Sequence, residues 1–585
     1  MKKFYATIAI CLLSTLSFSQ VSFTVLEPAS IAGGYPFTSN GDGTDWGLPN
    51  LLDPLDAVQD TLMLVDDGTS GLNAQGVPLA NEGCGPLIND LTGKIAVVYR
   101  YDGVSSNVCW YGTKVLNAQN AGAVGVIMIN REDALIDVPG TTDGPSTTIP
   151  FAFISKSDGE LLRARMDAGD DVVAFIGSKL GLYADDIGIV KDWTLAPSIA
   201  ATASQTSQNA SEFGFDVGSW IYNYGQNTQN NVMITASVNG PGGTWTETAG
   251  PFSILPGDTI PVFTGGANNI PGFSHANYPD GRYTLDYLVD MGVTDESDFD
   301  NALEYEFVIS DSIVTFCTLD DVTNLPSPTR YTRTVDPTSE FTICMVYDNP
   351  NGSRLAADGM YFSAMPGWQS GLDLEGEEIA MNLFQWNDVF TDVTGTVAFD
   401  NLSTIAFGYY YFGANEDEMM IHAQFENPVQ LADNQRYLAC VSTANNDVWF
   451  GFDNRIDYSE NINHYLQPLS PVWTDVDAYW AGFGADLTPA IGMSVFDAAD
   501  LSIDENPELS AKVYPNPATD QLNIVVSNSN QGHFIITDLS GRLIDTIEMN
   551  ATTSKVDISN LESGQYILVI ESATGEKGQY NFTKI

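Results

Sequence analysis

The sequence predicts a multidomain, mainly β protein that begins with one α+β region. The chain has 585 residues, a length that allows about three to five domains. Its 44% content of hydrophobic residues is enough for several separate cores. Helical patterns are concentrated before residue 181. The later sequence consists of short strand-like runs separated by Gly, Pro and Asn turns, a spacing typical of β-sandwiches.

The charge of the chain excludes one large class of partners. Lys and Arg number 22 and Asp and Glu number 75, so the formal net charge is −53. Such a polyanion repels phosphate backbones and anionic lipid, and we expect no nucleic-acid partner. Its acidity is typical of a solvated extracellular surface.

Residues 1–19 have the pattern of a secretory signal peptide. Lys2 and Lys3 precede an apolar run, and small residues follow at Ser17 and Ser19. The run is shorter than the ~20 residues that span a bilayer, and no other segment of the chain is long enough. We therefore expect cleavage after Ser19 and an exported, soluble chain without a transmembrane segment.

Five cysteines remain after the predicted cleavage, and an odd number leaves at least one of them unpaired within the chain. Cys84 and Cys109 lie in one segment and are disulfide candidates in an oxidising compartment. Of the other three we predict a Cys344–Cys440 pair, because both lie in strand-like runs, which leaves Cys317.

Residues 93–130 predict a strand, a helix and a second strand. The runs GKIAVVYR and AVGVIMIN are apolar and rich in β-branched residues, so both predict buried strands. Between them, GTKVLNAQNAGA predicts a helix that ends at Gly122. The predicted buried face of this helix consists of Val115, Leu116, Ala118 and Ala121.

A similar strand and helix follow in IPFAFISKSDGELLRARMDAG. Ser157 and Glu160 have the spacing of a capping box, which predicts the start of the helix. Gly169 predicts its end. The predicted apolar face consists of Leu161, Leu162 and Met166.

Together these motifs resemble the protease-associated (PA) domain. The resemblance covers nearly all of residues 22–178 within a predicted domain of residues 20–180, and it includes the sequences around Cys84 and Cys109. It implies a non-catalytic lid or docking module for peptides and proteins. Because loops carry most contacts of such modules, we expect residues 101–108 and 131–148 to meet a partner.

The sequence lacks the motifs of the peptidases that often accompany such a domain. None of the four His residues belongs to a His-Glu-x-x-His motif, and no Gly-x-Ser-x-Gly elbow occurs. DDGTSG at residues 66–71 has the appearance of a subtilisin motif, but no His-Gly motif lies near it, so we interpret it as an ordinary turn.

Residues 190–315 predict a β-sandwich that is similar to immunoglobulin-like, cell-adhesion-related repeats. The similarity rests on turns at Asn223–Gly225 and Pro256–Gly257 and on an acidic loop at Asp295–Asn301. The loop offers oxygen ligands, but it lacks the spacing of an EF-hand. We expect a solvated turn. The alternative is a calcium site formed by Asp295, Glu296, Asp298 and Asp300.

Residues 316–498 predict a larger β-sandwich or jelly roll that is dense in aromatic residues. Tyr409–Phe412, with Trp449, Trp473 and Trp480, raise the possibility of a sugar-stacking surface. Consecutive residues of a strand point to opposite faces, so at most half of the run faces outwards, and we expect most of these side chains to lie in the core.

Residues 499–512 predict a polar linker, and residues 513–585 a small β-sandwich. The motif residues of this last segment are Tyr514, Pro515, Asn516, Pro517, Asp538, Leu539, Ser540, Gly541, Leu561, Gly564 and Tyr566. In this order they resemble the type A sorting domain of the type IX secretion system of Bacteroidetes. The resemblance implies contact with that secretion machinery and a secreted or cell-surface location.

These features predict an exported, non-catalytic, multidomain protein that contacts proteins or glycans and needs no cofactor. One alternative is an accessory or substrate-capturing factor for a separate secreted peptidase. Another is a hydrolase with an unrecognised site in residues 316–498.

Overall fold

The computed structural model describes residues 21–585 with gaps. The gaps are residues 40–44, 101–108, 134, 137, 334–339, 368–370, 390–400, 466–467, 475–477, 480–481, 503–510, 527–529, 539–541 and 574–576. The predicted signal peptide, the contact loop 101–108, most of the linker, Trp480, and Leu539, Ser540 and Gly541 therefore lie outside the described residues. The rest of the chain is dominated by β-sheets, which confirms the predicted fold class.

The described residues are divided between two compact units. One lies within residues 1–352 and 357–495 and contains the first three domains. The other lies within residues 353–356 and 496–585 and contains the C-terminal sandwich. None of the helices in the described ranges has the length and apolarity that crossing a bilayer requires.

The first domain is a mixed sheet with a helix on each face. Its elements are β1 (Val21–Glu27), β2 (Gly33–Gly34), β3 (Val58–Leu64), β4 (Ile95–Tyr99), α1 (Tyr111–Asn120), β5 (Gly125–Ile129), β6 (Phe151–Ile154), α2 (Lys156–Asp167) and β7 (Val173–Ser178). The strand order is β2-β1-β7-β3-β4-β5-β6, and β3 to β6 are parallel. Val115 of α1 and Leu162 of α2 belong to separate cores, so β4 and β5 are buried at every position.

Both predicted helices form, but α2 begins earlier than predicted. Its N-cap is Ser155, whose hydroxyl oxygen accepts the backbone N–H of Asp158 at 3.0 Å. The predicted Ser157–Glu160 capping box is therefore wrong. The helix is already capped by Ser155, so Ser157 lies inside its first turn. On the predicted apolar face, Leu162 is fully buried whereas Leu161 is 43% exposed.

The second domain is a sandwich of two sheets. Its strands are β8 (Ile187–Gly188), β9 (Ala201–Ala203), β10 (Gly218–Asn223), β11 (Gln229–Gly240), β12 (Gly243–Ile254), β13 (Thr259–Phe263), β14 (Gly281–Asp290) and β15 (Ala302–Ser310). One sheet has the order β13-β10-β8 and the other β12-β11-β14-β15-β9. Alternate residues of β14 are buried, as period-2 packing requires.

The third domain is a larger sandwich. Its elements are β16 (Ile313–Val314), β17 (Arg330–Thr332), β18 (Phe341–Tyr347), β19 (Leu355–Pro366), β20 (Glu378–Trp386), β21 (Leu402–Tyr411), β22 (Met420–Gln430), β23 (Tyr437–Thr443), β24 (Val448–Asp453), α3 (Ser459–Tyr465), β25 (Val472–Thr474), β26 (Ala478–Tyr479), β27 (Thr488–Pro489) and β28 (Gly492–Asp497). One sheet has the order β16-β28-β19-β24-β17, with β22 paired to β19 and β27 to β24. The other has the order β21-β20-β23-β18-β25-β26.

The C-terminal domain is a small sandwich with its own core. Its strands are β29 (Ala511–Tyr514), β30 (Gln521–Val526), β31 (Gly532–Asp538), β32 (Leu543–Met549), β33 (Thr553–Asp557), β34 (Gly564–Ser572) and β35 (Lys577–Lys584). The sheets have the orders β29-β30-β33 and β32-β31-β34-β35. Ile524, Phe534 and Leu568 are central members of the buried cluster between them.

Both predicted disulfides are present. Cys84 is bonded to Cys109 in the first domain, and Cys344 is bonded to Cys440 across the neighbouring strands β18 and β23. Cys317 is a buried free thiol, and burial raises its pKa well above the ordinary value. Its position makes it a poor nucleophile, because the thiolate is the reactive form.

The second and third domains meet through α3. The Asn461 side chain exchanges two hydrogen bonds with the backbone of Ala196, at 2.9 and 3.0 Å. Asp192 lies in the same junction, where burial and the nearby Asp457 carboxylate raise its pKa to about 6. Burial likewise raises the pKa of Glu460 to about 7. The junction thus brings several partly buried carboxyl groups together, and their burial and mutual repulsion favour the neutral form.

We expect Gly159→Ala to destabilise the first domain. A Cβ at this position of α2 would lie 2.2 Å from Cγ2 of Ile129 in β5. Overpacking of this kind costs about 1–3 kcal/mol, which outweighs the ~1 kcal/mol that Ala gains over Gly in a helix. Urea denaturation checks the loss. Glu160→Ala, at the exposed next position, is the control and should stay within about 0.5 kcal/mol of the native chain.

We also expect Asp192→Asn to stabilise the protein at neutral pH and to leave it unchanged near pH 4. The folded-state pKa of Asp192, about 6, lies above that of the unfolded chain, so the native state loses stability as the pH rises through this window. Asn cannot lose a proton. Thermal denaturation at pH 4 and pH 8 measures the difference, and an equal shift at both values would contradict the assignment.

Candidate functional site

The first domain holds a buried lysine where the loop before β4 meets α1. The Lys114 ammonium donates to the backbone carbonyls of Glu82 at 2.6 Å and Tyr99 at 3.0 Å. Burial lowers the pKa of Lys114 to about 8. One turn later, the Asn117 side chain donates to the carbonyl of Gly83. These bonds and the adjacent Cys84–Cys109 disulfide fix the start of α1 against the 66–90 loop.

Trp110 forms the exposed part of this corner. It is the N-cap residue of α1, follows the disulfide-bonded Cys109, and is 58% exposed. The second predicted contact loop, residues 131–148 except the undescribed 134 and 137, contacts the first turn of α1, where the Thr113 hydroxyl donates to Asp143 at 2.5 Å. Partly buried hydrogen bonds hold it in place. The Trp46 indole N–H donates to the Val138 carbonyl at 2.8 Å, and the backbone N–H of Thr141 donates to Asp45 at 2.7 Å.

The acidic loop at Asp295–Asn301 fastens the first domain to the second. Glu296 accepts the backbone N–H groups of Ala184 and Asp185, and Asp295 accepts that of Ile187. Asp300 faces the ammonium of Lys179 at 2.8 Å.

The four proposed calcium ligands therefore have different partners. Asp298 begins a short 3₁₀ turn, while the other three carboxylates contact the segment that joins the domains. Among the described residues, no group of three or more His, Cys, Asp or Glu side chains is arranged to hold a metal ion. Calcium binding at this loop stays the alternative to the predicted solvated turn.

The aromatic run of β21 alternates between the two faces of its sheet. Phe412, just after the strand, is 2% exposed, whereas Tyr409 and Tyr411 are 53% and 60% exposed. Phe407, two residues earlier on the same face, is 42% exposed. We call Phe407, Tyr409 and Tyr411 the aromatic stripe. Its rings at positions 407 and 409 are 6.2 Å apart.

The predicted tryptophans lie away from the stripe. Trp449 belongs to β24 in the opposite sheet, and Trp473 belongs to β25, several strands away in the same sheet. The sequence therefore indicated the correct strand but not the correct set of rings. Phe407 was missed, although strand periodicity from Tyr409 would have found it.

Polar and small side chains continue the face of the stripe across the sheet. In register, Tyr411 is opposite Glu378, Tyr409 is opposite Ala380, and Phe407 is opposite Asn382. The Tyr411 hydroxyl donates to the Glu378 carboxylate, which fixes the outermost ring.

The Cys344–Cys440 disulfide lies on this same face. Asn382 is opposite Cys440, and Cys440 is opposite Cys344. The disulfide is buried in a small cluster with Trp386, Phe384 and Trp473. One half of the face is thus covered, and the half that carries the stripe is open.

Several residues of the C-terminal motif have structural partners. The Asn516 side chain accepts the backbone N–H of Thr583 and donates to the carbonyl of Asn581. Tyr566 stacks on Phe582 with centroids 5.6 Å apart. The Asp538 carboxylate accepts a hydrogen bond from the guanidinium of Arg542.

The remaining described motif residues lie on either side of Asn516 or near the start of β34. Tyr514 ends β29 and is 50% exposed, and the peptide bonds before Pro515 and Pro517 are cis. Leu561 packs against the core from the turn before β34, and Gly564 is the first residue of that strand. The motif therefore combines core contacts with an exposed aromatic ring.

Comparison with known families identifies both ends of the chain. Residues 60–162 match the PA domain family. Residues 512–580 match the family described as the secretion system C-terminal sorting domain. These matches confirm the two resemblances. The protein is a secreted or cell-surface protein that carries a PA domain and is delivered by type IX secretion.

The individual relatives cover only parts of the chain. Aminopeptidase YwaD of Bacillus subtilis is 33% identical over 124 residues, which is 20% of this chain and 26% of the relative. Beta-agarase D of Zobellia galactanivorans is 27% identical over 255 residues, 43% of this chain and 48% of the relative. A solved aminopeptidase from Aneurinibacillus sp. strain AM-1 aligns with 22% identity and a TM-score of 0.19 over 27% of this chain and 30% of its own.

Proposed function

We propose that this protein is a non-catalytic binding protein whose aromatic stripe contacts a neutral glycan outside the cell. The observation that carries the proposal is the exposure of three aromatic rings at alternate positions of one strand. Single exposed aromatic rings are ordinary, but a contiguous exposed apolar patch of several rings is typical of a contact surface. The bonded Tyr411–Glu378 pair and the stripe's rigid strand hold the rings in place before any ligand arrives.

The chemistry of the stripe suits a sugar chain. A pyranose ring has one face of C–H groups that packs against an aromatic ring, while its hydroxyls turn towards polar side chains. The ring centroids of Phe407 and Tyr409 are 6.2 Å apart, which allows successive sugars of one chain to be contacted. Glu378 and Asn382, opposite the stripe, supply hydrogen-bonding groups.

The charge of the protein selects among glycans. With a net charge of −53, the chain repels sulfated and uronate-rich polysaccharides at long range. A neutral polysaccharide meets no such barrier. Agarose is the first neutral probe, because beta-agarase D, by its name, acts on agar and shares a partial similarity with this chain.

We expect Tyr409→Ala with Tyr411→Ala to weaken retention on agarose or another neutral polysaccharide by roughly tenfold or more. Two aromatic contacts of about 0.5–1.5 kcal/mol each give this factor, since 1.4 kcal/mol is tenfold. Affinity electrophoresis of the full mature chain measures it. Tyr409→Phe, which keeps the ring, should retain binding. Leu288→Ala, with the same 53% exposure on another domain, is the matched control.

The same preparation separates binding from catalysis. A binding protein retains the polysaccharide and releases no reducing ends from it. Release that accompanies the pure chain would favour the hydrolase alternative in residues 316–498. Unaltered retention by the double variant would refute the stripe as the contact.

A second candidate is an accessory role for a separate secreted peptidase, and the exposed Trp110 favours it. An exposed Trp next to a disulfide is a rigid anchor of the kind found at the centre of protein interfaces. The PA domain of this chain would then hold a peptidase or its substrate.

We expect Trp110→Ala to abolish co-purification of the full chain with a secreted peptidase from its own culture medium, if that role holds. Truncating a buried aromatic anchor typically costs about 2 kcal/mol or more. Leu182→Ala, exposed at 43%, is the control. Peptidase activity that is recovered equally with both variants would exclude Trp110 as the anchor.

A further inference from the structure

The segment between the PA domain and the second domain contains a buried lysine with two carboxyl groups. Lys179 directly follows β7, and Asp186 directly precedes β8. The Lys179 Nζ lies 2.7 Å from Oδ1 of Asp186 and 2.8 Å from Oδ2 of Asp300. The side chains of Lys179 and Asp186 are 2% and 0% exposed, and that of Asp300 is 13% exposed. None of the proposed functions uses this cluster.

The surroundings of the cluster are aromatic. The Lys179 Nζ lies 4.2 Å from the ring centroid of Tyr224 and 5.0 Å from that of Phe299. Phe299 in turn packs against the backbone of Gly34, where a Cβ would be 2.2 Å from the ring. Water is therefore kept from the amine and from the carboxyl carbon that it faces.

The two carboxyl groups differ in how many of their oxygens contact the amine. Asp300 directs both oxygens at Nζ, at 2.8 and 3.0 Å, which is the arrangement of a proton acceptor. Asp186 directs only Oδ1 at Nζ, and its Oδ2 is buried without a hydrogen-bond partner. A buried oxygen in that condition suits a protonated, neutral carboxyl group better than a carboxylate.

The charges agree with this division of roles. One ammonium balances one carboxylate, so the second carboxyl group of the cluster is most stable when protonated. Burial raises the pKa of both carboxyl groups, that of Asp186 to about 7. The two short contacts of Asp300 with Nζ, against one for Asp186, assign the carboxylate to Asp300. At neutral pH and below, the cluster therefore holds an ammonium, a carboxylate on Asp300 and a substantial fraction of neutral carboxylic acid on Asp186.

We propose that Lys179 and Asp186 become joined by an intramolecular isopeptide bond, with Asp300 as the proton acceptor. The arrangement is that of an amine held against a carboxyl carbon in a water-excluded site, where proximity replaces an external activating group. The bond would be a covalent modification of the segment that connects the two domains.

The reaction balances without an oxidant, a reductant or a second substrate. The Lys179 ammonium gives one proton to the Asp300 carboxylate, and the nitrogen lone pair then attacks Cγ of the neutral Asp186 carboxyl group. Asp300 returns its proton to the departing hydroxyl of Asp186, which leaves as water. Asp300 finally takes the second proton from the nitrogen. The products are one secondary amide, one water molecule and a neutral Asp300.

The bond would close a short ring over residues 179–186. Glu296 already holds this ring through the backbone N–H groups of residues 184 and 185, and Asp295 holds Ile187, the residue that follows it. A covalent link between residues 179 and 186 restricts the backbone between the two domains. Unlike a disulfide, it cannot be reversed by reduction. It suits an exported protein that is not repaired after delivery.

Mass spectrometry of the full mature chain, after reduction of its disulfides, tests the proposal. We expect the intact mass to be lower than the sequence mass by one water molecule. Trypsin should fail to cleave after Lys179, because an acylated lysine is not a substrate. The result is one peptide of residues 166–191 that lacks one water and gives no backbone fragments within residues 179–186.

Other outcomes would overturn the assignment. A full sequence mass with normal cleavage after Lys179 excludes the bond. A water loss with normal cleavage there indicates cyclisation of another Asp. A cross-linked pair of peptides that joins residues 179 and 300 would make Asp300 the acyl donor instead of Asp186. The measurement uses denatured wild-type protein, so it does not depend on the folding of any variant.

Variants test the role of Asp300. Lys179→Arg keeps the positive charge, cannot form the amide and should have the full sequence mass. Asp300→Asn keeps both reacting groups and should also have the full mass, with its fold verified by near-ultraviolet circular dichroism. Asp311→Asn, an acidic-to-amide change outside the cluster, should lose water like the wild type. A folded Asp300→Asn chain that still loses water would refute Asp300 as the proton acceptor.

Discussion

Every sheet of this protein must bury at least one face, and the alternation of side chains along each strand decides what is buried. In the PA domain both faces are covered by helices, so β4 and β5 are apolar throughout. In the sandwiches only the inner faces are covered. The outer face of β21 is therefore where aromatic side chains that the core does not need are left in contact with solvent.

The same constraint explains why polar chemistry is concentrated where domains meet. A strongly acidic chain exposes most of its carboxylates, but the junctions bury a few of them. Lys179 with Asp186 and Asp300 occupies the first junction, and Asp192 with Asp457 occupies the second. Burial raises the pKa of each of these four carboxyl groups, which couples the packing of neighbouring domains to protonation.

Sequence reasoning was most effective where a pattern is local. Hydrophobic period identified the strands and helices of the PA domain, and residue order identified the sorting domain. It failed by two residues at the start of α2, because Ser155 and Ser157 are both capable caps and only the path of the chain from β6 selects between them. It also grouped Trp449 with Tyr409, which lie in opposite sheets.

The sequence by itself determined the PA and sorting domains, the mainly β architecture and the Cys84–Cys109 pair, since these depend on composition, spacing and local order. The Cys344–Cys440 pair joins residues 96 positions apart, and the packing of β18 beside β23 decides it. The tertiary structure decided which aromatic rings face solvent and which charged groups share a cavity. Residues 179, 186 and 300 are brought together by chain folding over a separation that no sequence period encodes. Contacts of that kind depend on how whole sheets pack, and a one-dimensional pattern carries no information about them.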